Sequence, residues 1–403
     1  MKKGWKTKTL EEACQFSNGL WKGEKPPFVK VGVIRNTNFT KDGTLDDSDI
    51  AYLDVEAKKL EKRRLQFGDI ILEKSGGGPK QPVGRVALFD KEDGDFSFSN
   101  FTAALRVLDP DDLDFRFVHK FLHWTYVSGV TEGMQSNSTG IRNLDGDAYK
   151  AIEISFPPLA EQQRIVGLLD EAFEGLATAK ANAEKNIENA RALFESHLQS
   201  VFTQRGPGWK QKTLEEIAMI FGRGKSKHRP RNEPKLYGGK YPFIQTGDIR
   251  NADHFITEYS QTYSELGLAQ SKLWPKGTIC ITIAANIAET AILGFDACFP
   301  DSVIGVVANP KEAEVGFIEY LLQSFKARIQ ALGKGSAQAN INMGTFENER
   351  FPFPPVAEQR QIVEKLDDLS EETQRLARLY EQKLAALEAL KKSLLHQAFT
   401  GEL

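Results

Sequence analysis

The chain has 403 residues, of which 40% are hydrophobic and 27% are charged, and a formal net charge of −3. This composition is typical of a folded globular protein and excludes a disordered chain. No apolar run reaches the roughly 18 to 20 residues that span a bilayer, and the basic start leads into polar sequence, so a cytoplasmic protein is predicted. The three cysteines lack CxxC spacing, which argues against a disulfide framework or a zinc site.

The first recognisable block, WKTKTLEE at residues 5–12, recurs 204 positions later as WKQKTLEE at 209–216. A longer block, FPPLAEQQRIV at 156–166, recurs 197 positions later as FPPVAEQRQIV at 353–363. Repeats of this kind indicate that the chain is a tandem duplication of about 200 residues, in the order globule, helix, globule, helix. The predicted boundaries are 1–155 and 204–353 for the two globules, and 156–203 and 354–403 for the two helices.

In the first globule the hydrophobic pattern predicts a mixed α/β fold, with strands at 28–34, 69–72 and 83–89 and a helix at 115–127. The glycine-rich turn at 75–80 lacks the GxxxxGK[ST] order of a P-loop. It is interpreted as a loop that presents cations to a polyanion, with a plain surface turn as the alternative. His119 and His123 have the spacing of a metal pair, but no third ligand accompanies them and their aromatic neighbours favour a packed helix.

An arginine and an asparagine recur together. Arg35-Asn36 and Arg250-Asn251 end a further match, between 27–36 and 242–251, whose offset of 215 would place eleven additional residues before it in the second half. These two residue types suit bidentate contact with guanine and adenine edges. A pair kept in both copies equally fits a role in the shared scaffold.

The repeated helices carry apolar residues at alternating steps of four and three, from Ile165 to Leu198 and again 197 positions later. This spacing predicts the seam of a coiled coil with one stutter. Two such helices of equal length are predicted to pack antiparallel as a spacer roughly 60 to 65 Å long, giving a pseudo-twofold dumbbell. Unrelated surface helices are the alternative. The predicted interface residues are Ile165, Leu169, Leu176, Ile187, Phe194, Leu198, Ile362, Leu366, Leu369, Leu376, Leu387 and Leu394.

The second globule is again read as mixed α/β, with strands at 243–249, 278–283 and 302–307 and a helix at 316–331. Residues 204–354 have a net charge of +3, whereas both helical segments are acidic. The segment 223–231 places five cationic residues on alternate positions beside glycine and proline. Such a loop can neutralise DNA phosphates, although basic loops are also common as solvated surface.

The predicted DNA-contacting residues are cations and amides of these loops. They are Lys22, Lys25, Arg35, Lys74, Lys80, Gln81, Arg85, Arg142, Asn143, Arg223, Lys225, Lys227, Arg229, Arg231, Arg250, Lys334, Asn340 and Asn342. Asn143 and Asn340 align at the offset of 197, in polar loops just ahead of the two helices. The sequence contains no adenine-methyltransferase motif, no Walker A motif and no HExxH motif, so neither a catalytic residue nor a metal site is predicted.

The two helices that begin with PP[LV]AEQ, the two WKxKTLEE blocks and the segment FGDIIL at 67–72 resemble the DNA-specificity subunit of type I restriction-modification systems. The resemblance covers the whole chain. It departs at 275–280, where the counterpart PKGTIC lacks the aspartate of FGDIIL. The resemblance implies that each globule is a target-recognition domain that reads one half of a split, asymmetric DNA sequence.

The resemblance also implies partners. The antiparallel helices would hold the half-sites at a fixed spacing and bind two methyltransferase subunits, which methylate adenine N6, and restriction subunits would add translocation and cleavage. S-adenosylmethionine, ATP and Mg would be used by these partners, with no cofactor on this chain. The alternative is a coiled-coil scaffold protein with two protein-binding globules, which predicts binding without steep salt dependence. A third interpretation is a nucleic-acid-modifying enzyme with an unrecognised site.

Overall fold

The computed structural model describes residues 4–20, 23–78, 81–138, 140–227, 230, 233–284, 286–333, 341 and 343–403. No helix within these residues is long and apolar enough to cross a membrane. The chain divides into two units, Met1–Glu184 with Gln382–Leu403 (unit 1) and Lys185–Glu381 (unit 2). Each unit therefore contains one globule and parts of both long helices.

Unit 1 contains twelve described strands, arranged in four small sheets with the orders β2-β9-β5-β7, β4-β3-β8, β10-β11-β6 and β1-β12. The strands are β1 (Lys6–Thr9), β2 (Cys14–Asn18), β3 (Phe28–Ile34), β4 (Ala51–Glu56), β5 (Ile70–Glu73), β6 (Ser75–Gly77), β7 (Val86–Leu88), β8 (Phe96–Phe98), β9 (Thr102–Val107), β10 (Gln135–Ser138), β11 (Ile141–Leu144) and β12 (Glu153–Phe156). The helices are α1 (Leu10–Ala13), α2 (Ala57–Glu61), α3 (Phe115–Val127), α4 (Gly146–Lys150) and α5 (Leu159–Thr203), the last of which continues into unit 2.

Unit 2 contains eleven described strands in three sheets with the orders β14-β22-β19-β20-β16, β17-β15-β21-β18 and β13-β23. The strands are β13 (Lys210–Lys212), β14 (Ala218–Arg223), β15 (Tyr237–Phe243), β16 (Phe255–Ile256), β17 (Gln261–Tyr263), β18 (Leu273–Trp274), β19 (Ile279–Thr282), β20 (Thr290–Leu293), β21 (Ala297–Cys298), β22 (Val303–Ala308) and β23 (Phe351–Phe353). The helices are α6 (Thr246–Asn251), α7 (Glu265–Ala269), α8 (Val315–Gly333), α9 (Met343–Glu347) and α10 (Val356–Thr400), which ends in unit 1.

Each unit has its own central sheet, and the two sheets have the same strand order. The antiparallel order β2-β9-β5-β7 of unit 1 recurs as β14-β22-β19-β20 in unit 2, which adds β16 in parallel at the edge. The main core of each unit lies between this sheet, one helix of the globule (α3 in unit 1, α8 in unit 2) and the parts of α5 and α10 that belong to that unit. The mixed α/β fold and the duplication predicted from the sequence are confirmed.

The long helices α5 and α10 have 45 residues each and pack on each other antiparallel within both units. In unit 1, Leu169 of α5 shares a core with Leu395 and Phe399 of α10, and Lys180 forms an ion pair with Glu388 at 3.1 Å. In unit 2, Leu198 and Phe202 share a core with Leu366, and Arg191 lies 4.0 Å from Glu381. The predicted packing of two long helices is confirmed, and all twelve predicted interface residues are buried or half-buried.

The WKxKTLEE blocks build the same local structure in both units. Each block forms a strand that pairs antiparallel with the strand leading into a long helix, β1 with β12 and β13 with β23. The threonine and the glutamate three positions later then form reciprocal hydrogen bonds. Glu12 N donates to Thr9 Oγ1 at 3.3 Å, and Thr9 N donates to Glu12 Oε2 at 2.8 Å; Thr213 and Glu216 make the same pair at 3.2 and 2.7 Å. In each unit, the WKxKTLEE block therefore lies beside the segment that leads into the PP[LV]AEQ block, and the two blocks form part of the same scaffold.

The glutamine of each PP[LV]AEQ block explains why this motif is repeated. Gln162 is fully buried; its side chain accepts from Asp114 N at 2.8 Å and donates to Asp112 O and Pro157 O at 2.9 and 2.8 Å. Gln359 makes the equivalent three hydrogen bonds, with Glu314 N, Glu312 O and Pro354 O. Each glutamine thus joins the start of a long helix to the loop ahead of α3 or α8. These residues serve the scaffold.

Replacing Gln162 by leucine should destabilise unit 1 by about 2 to 3 kcal/mol, because one buried and two partly buried backbone groups lose their partner. Hydrogen-exchange mass spectrometry on peptides of α3 and α5 measures this loss. The matched control is Gln163→Leu at the exposed neighbouring position, which should change the exchange little. Equal protection in the two variants would contradict the assigned role.

Candidate nucleic-acid interface

Predicted DNA-contacting residues of unit 1 meet at one edge of its central sheet, where β2 and β5 end and β9 begins. Lys74 follows β5, and its ammonium group donates to Asn18 Oδ1 at 2.8 Å at the end of β2. Ser75 Oγ donates to Asn143 Oδ1 at 2.6 Å, which ties β6 to β11. Partial burial lowers the pKa of Lys74. We name this edge the unit 1 face.

A buried ion pair supports the unit 1 face from below. Glu73 is 1% exposed, and Arg85 donates to its carboxylate from Nε at 2.8 Å and from Nη2 at 3.0 Å. Arg85 Nη2 also donates to Asn36 O at 3.0 Å, and the Gln81 amide, oriented with its oxygen toward the guanidinium, accepts from Arg85 Nη2 at 2.7 Å. Arg85 therefore positions Gln81 and Asn36, and its charge is largely neutralised by Glu73.

Three other predicted residues of unit 1 lie in different surroundings. Arg35 forms an ion pair with Asp49 at 2.9 Å and also donates to Asp49 O. Arg142 Nη1 donates to Gln135 Oε1 at 3.4 Å on the neighbouring strand. Lys25 is exposed next to Glu56, whose carboxylate accepts from the Lys25 backbone N–H at 3.3 Å.

The equivalent edge of unit 2, where β14 and β19 end and β22 begins, carries more lysines among the residues that the structure describes; we name it the unit 2 face. Arg223 ends β14 and donates from Nε to Asp301 O at 2.8 Å. Lys225 and Lys227 follow and are exposed. Lys272 lies 3.6 Å from the centre of the Trp274 ring; its burial, and next the charge of Lys225, lower the pKa of Lys272. Cations therefore converge on this edge from two distant segments.

The segments that reach the two faces are repeated with an offset of 205. The sequence FSNG at 16–19 corresponds to FGRG at 221–224, at the end of β2 and of β14. Asn18 thus occupies the position of Arg223. The two faces have one backbone frame and different side chains.

The proposed equivalence of Arg35-Asn36 with Arg250-Asn251 is wrong. Residues 28–34 form the single strand β3, whereas the matched segment 243–249 spans the end of β15 and the helix α6. β3 pairs in parallel with β8, and β15 pairs in parallel with β21, so that Ile34 corresponds to Ile244, at an offset of 210. Arg250 is exposed on α6 and lines a groove of about 470 Å³ together with residues of α5 and α8.

Some predicted residues lie outside the described part of the chain: Lys22, Lys80, Arg229, Arg231, Lys334, Asn340 and Asn342. Sequence reasoning missed Asn18, Glu73, Phe101 and Lys272, which the fold brings to the two faces. The repeat of FSNG as FGRG was a signal for Asn18. A single lysine 47 positions after Lys225 gave none for Lys272.

His119 and His123 pack in α3 as predicted, against the turn at Gly43. His119 Nε2 donates to Gly43 O at 2.8 Å, and both rings are buried. Burial, reinforced by nearby cations, lowers the pKa of His119 to about 3 and that of His123 to about 4. Within the described residues, no group of three or more histidine, cysteine or acidic side chains could hold a metal ion.

These two histidines make the stability of unit 1 depend on pH. Their folded-state pKa values lie below the unfolded value, so the unfolded chain binds more protons as the pH falls below about 6.5. Acidification from pH 7 to 5.5 should therefore lower the stability of unit 1 by about 2 kcal/mol. Hydrogen exchange on unit 1 peptides at both pH values, corrected for intrinsic rates, measures this. The His123→Leu variant should lose about half of the dependence, and an unchanged dependence would contradict the assignment.

Two homologous α/β units, each with polar and cationic loops at the same edge of the same sheet, define a duplicated protein with two related candidate binding faces. The family model for the type I restriction modification DNA specificity domain matches residues 2–189 and again 207–388. The chain belongs to this family, and it is a specificity subunit of a type I restriction-modification system, the non-catalytic kind of subunit.

Individual relatives agree with this assignment. The chain is 20% identical to the putative type I restriction enzyme MjaX specificity subunit of Methanocaldococcus jannaschii, over 99% of this chain and 93% of the relative. It is 24% identical to the type I restriction enzyme EcoKI specificity subunit of Escherichia coli, over 94% and 82% of the two chains. A chain from a structural study of type I restriction-modification complex assembly shares the fold, with a TM-score of 0.79, 20% identity, and coverage of 100% and 99%.

Proposed function

We propose that the globules, residues 1–155 and 204–353, are target-recognition domains that read the two halves of an asymmetric, bipartite DNA sequence. The observation that carries this proposal is the pair of equivalent sheet edges with different side chains. Asn18 at the unit 1 face corresponds to Arg223 at the unit 2 face, whereas Lys74 corresponds to the buried Ile283, and the cations of the unit 2 face come from Lys225 and Lys227 instead. One frame with two sets of polar groups is suited to dock on one kind of ligand and read two different sequences.

The same proposal assigns the helical segments, residues 156–203 and 354–403, to spacing and assembly. A continuous helix of 45 residues is about 68 Å long, enough to separate two sites on a duplex by a fixed distance. Leu168, Leu193, Leu379 and Leu390 are 42 to 54% exposed on these helices, which supports docking of other subunits there. Two methyltransferase subunits would bind the helices and methylate adenine N6 in the cytoplasm. S-adenosylmethionine, ATP and Mg would be used by methyltransferase and restriction subunits.

The salt dependence of DNA binding tests this proposal. Replacing both Lys225 and Lys227 by glutamine should weaken binding of the target duplex about tenfold or more at physiological salt. It should also reduce the slope of log K against log salt by about 2, because two phosphate contacts are lost. The complex of the full chain with its methyltransferase partners is titrated with fluorescent duplex at several salt concentrations.

The matched control replaces Lys276 and Lys311 by glutamine. These exposed lysines lie at the opposite end of the same sheet, before β19 and after β22, and the change of charge is identical. The control should leave affinity and salt slope nearly unchanged. Equal effects of the two double variants would contradict the assignment of the unit 2 face to DNA binding. Binding that is insensitive to salt would favour a scaffold protein.

A further inference from the structure

Phe101 is a large aromatic side chain that stands 43% exposed at the unit 1 face. It lies in the turn between β8 and β9, which is closed by two hydrogen bonds: Thr102 N donates to Ser99 O at 3.0 Å, and Thr102 Oγ1 donates to the same oxygen at 2.8 Å. The ring therefore projects from a short, closed turn.

The backbone of Phe101 is also fixed to the neighbouring strand. Its carbonyl oxygen accepts from Lys74 N at 3.0 Å and from Ser75 N at 3.1 Å, where β5 passes into β6. A ring carried by such a backbone loses little further conformational freedom when it contacts a ligand. The turn presents the ring in a preorganised position.

The groups around the ring are polar or cationic, and one of them is a glycine. Gly76 has φ +98°, and a Cβ atom there would lie 3.5 Å from the Phe101 ring and 2.9 Å from the Asn36 amide nitrogen. The absence of a side chain at Gly76 leaves the space between Phe101 and Asn36 open. Lys74 and the Ser75–Asn143 pair lie on the adjoining strands. An apolar ring bordered by amide groups and a cation fits a nucleobase, because the ring can stack on the base while the polar groups face the neighbouring phosphates.

Unit 2 retains the turn and lacks the ring. Val303 N donates to Pro300 O at 3.1 Å, as Thr102 N does to Ser99 O. The two hydrogen bonds close the turns at the start of the equivalent strands β22 and β9. Through this register Phe101 corresponds to Ser302. The aromatic ring is therefore not required by the shared frame, and only one of the two faces has it.

We propose that Phe101 is a wedge residue: its ring inserts at one base step of the half-site bound by unit 1 and partly unstacks it, whereas unit 2 leaves its half-site stacked. This inference rests on the proposed function and deepens it. Apolar side chains that enter a base step bend the duplex and select steps that unstack easily. Phe101 would thereby contribute specificity through the deformability of the DNA.

Site-specific 2-aminopurine fluorescence tests the proposal on the complex of the full chain with its methyltransferase partners. On both strands, 2-aminopurine replaces, one at a time, each adenine that does not become methylated, and the fluorescent analogue pyrrolocytosine replaces each cytosine, so that the remaining base pairs of both half-sites are probed. We expect fluorescence to rise several-fold at one step of one half-site only. Phe101→Ser, which installs the unit 2 residue, should abolish the rise and weaken binding about tenfold, since the contact between the aromatic ring and a base is lost. Phe101→Leu should retain part of the rise.

Leu108→Ser is the matched control, because Leu108 is 57% exposed just after β9, at the opposite end of the same strand. It should leave the fluorescence and the affinity unchanged. Sequence-specific binding without a brightened step, or with the same step brightened in Phe101→Ser, would overturn the wedge and leave the proposed function intact. Absence of sequence-specific binding by the unaltered complex would overturn both.

Discussion

Replacing Arg106 by valine should destabilise unit 1 by about 3 kcal/mol, because it leaves a buried carboxylate without its counterion. Asp69 is 2% exposed, and Arg106 donates to both of its oxygens at 2.7 Å. The arginine itself is 41% exposed, so the expected loss lies at the lower end of the range for buried pairs. Hydrogen exchange on peptides of β5 and β9 measures the loss.

Unit 2 supplies the matched control for this ion pair. The positions of Asp69 and Arg106 are occupied there by Thr278 and Val307, and Thr278 Oγ1 donates to Pro275 O at 2.6 Å in place of the charged pair. The double variant Asp69→Thr/Arg106→Val should therefore recover most of the stability, to within about 1 kcal/mol of the unaltered chain. If the stability losses of the single variants Asp69→Thr and Arg106→Val simply add in the double variant, the charged pair of unit 1 and the uncharged pair of unit 2 are not interchangeable.

Alanine at Gly19 or Gly224 should cost about 3 kcal/mol, with the loss confined to the unit that carries the change. A Cβ at Gly19 would overlap the Ser99 carbonyl, and one at Gly224 would overlap the carbonyls of Phe299 and Pro300. Backbone atoms cannot yield as the end of a side chain can, so the turn before β9 at the unit 1 face, or the turn before β22 at the unit 2 face, must move. We expect the midpoint of thermal unfolding of the affected unit to fall by roughly 6 to 12 °C.

Gly78 and Gly247 provide controls of the same chemistry. Neither has an atom within 4 Å of an added Cβ, and neither has a positive φ. Gly78→Ala in unit 1 and Gly247→Ala in unit 2 should leave the unfolding midpoints nearly unchanged. Equal destabilisation by all four substitutions would mean that the close approach of backbone at Gly19 and Gly224 does not limit stability.

Local patterns were sufficient for many elements. The helix predicted at 115–127 is α3 with the same bounds, because Asp114 caps its first turn and the apolar spacing is regular. The strand predicted at 28–34 is β3. The prediction of a strand at 243–249 is wrong beyond Phe243: the helix α6 begins at Thr246, and the Asp248 carboxylate accepts from Gln245 N at 2.8 Å and caps its first turn. The apolar residues on either side of this short helix, Ile244 and Ile249, gave the segment the hydrophobic pattern of a strand.

The candidate site was harder to predict because charge at a position does not reveal its partner. Arg85 and Arg35 were read as cations facing DNA, yet Glu73 and Asp49 pair with them across 12 and 14 positions of the chain. Lys272 reaches the unit 2 face through its contact with Trp274, which depends on the fold of the sheet. The repeated motifs proved most informative for the scaffold, where Gln162 and Gln359 make the same hydrogen bonds.

The most direct measurement is a genome-wide map of N6-methyladenine in a host with and without this gene, with the methyltransferase partner supplied in both. We predict that the gene adds one split motif of two short blocks separated by a fixed gap, because one block is read by each unit. If no motif appears while the same partner methylates DNA with a different specificity subunit, the assignment of the two faces to DNA reading is contradicted.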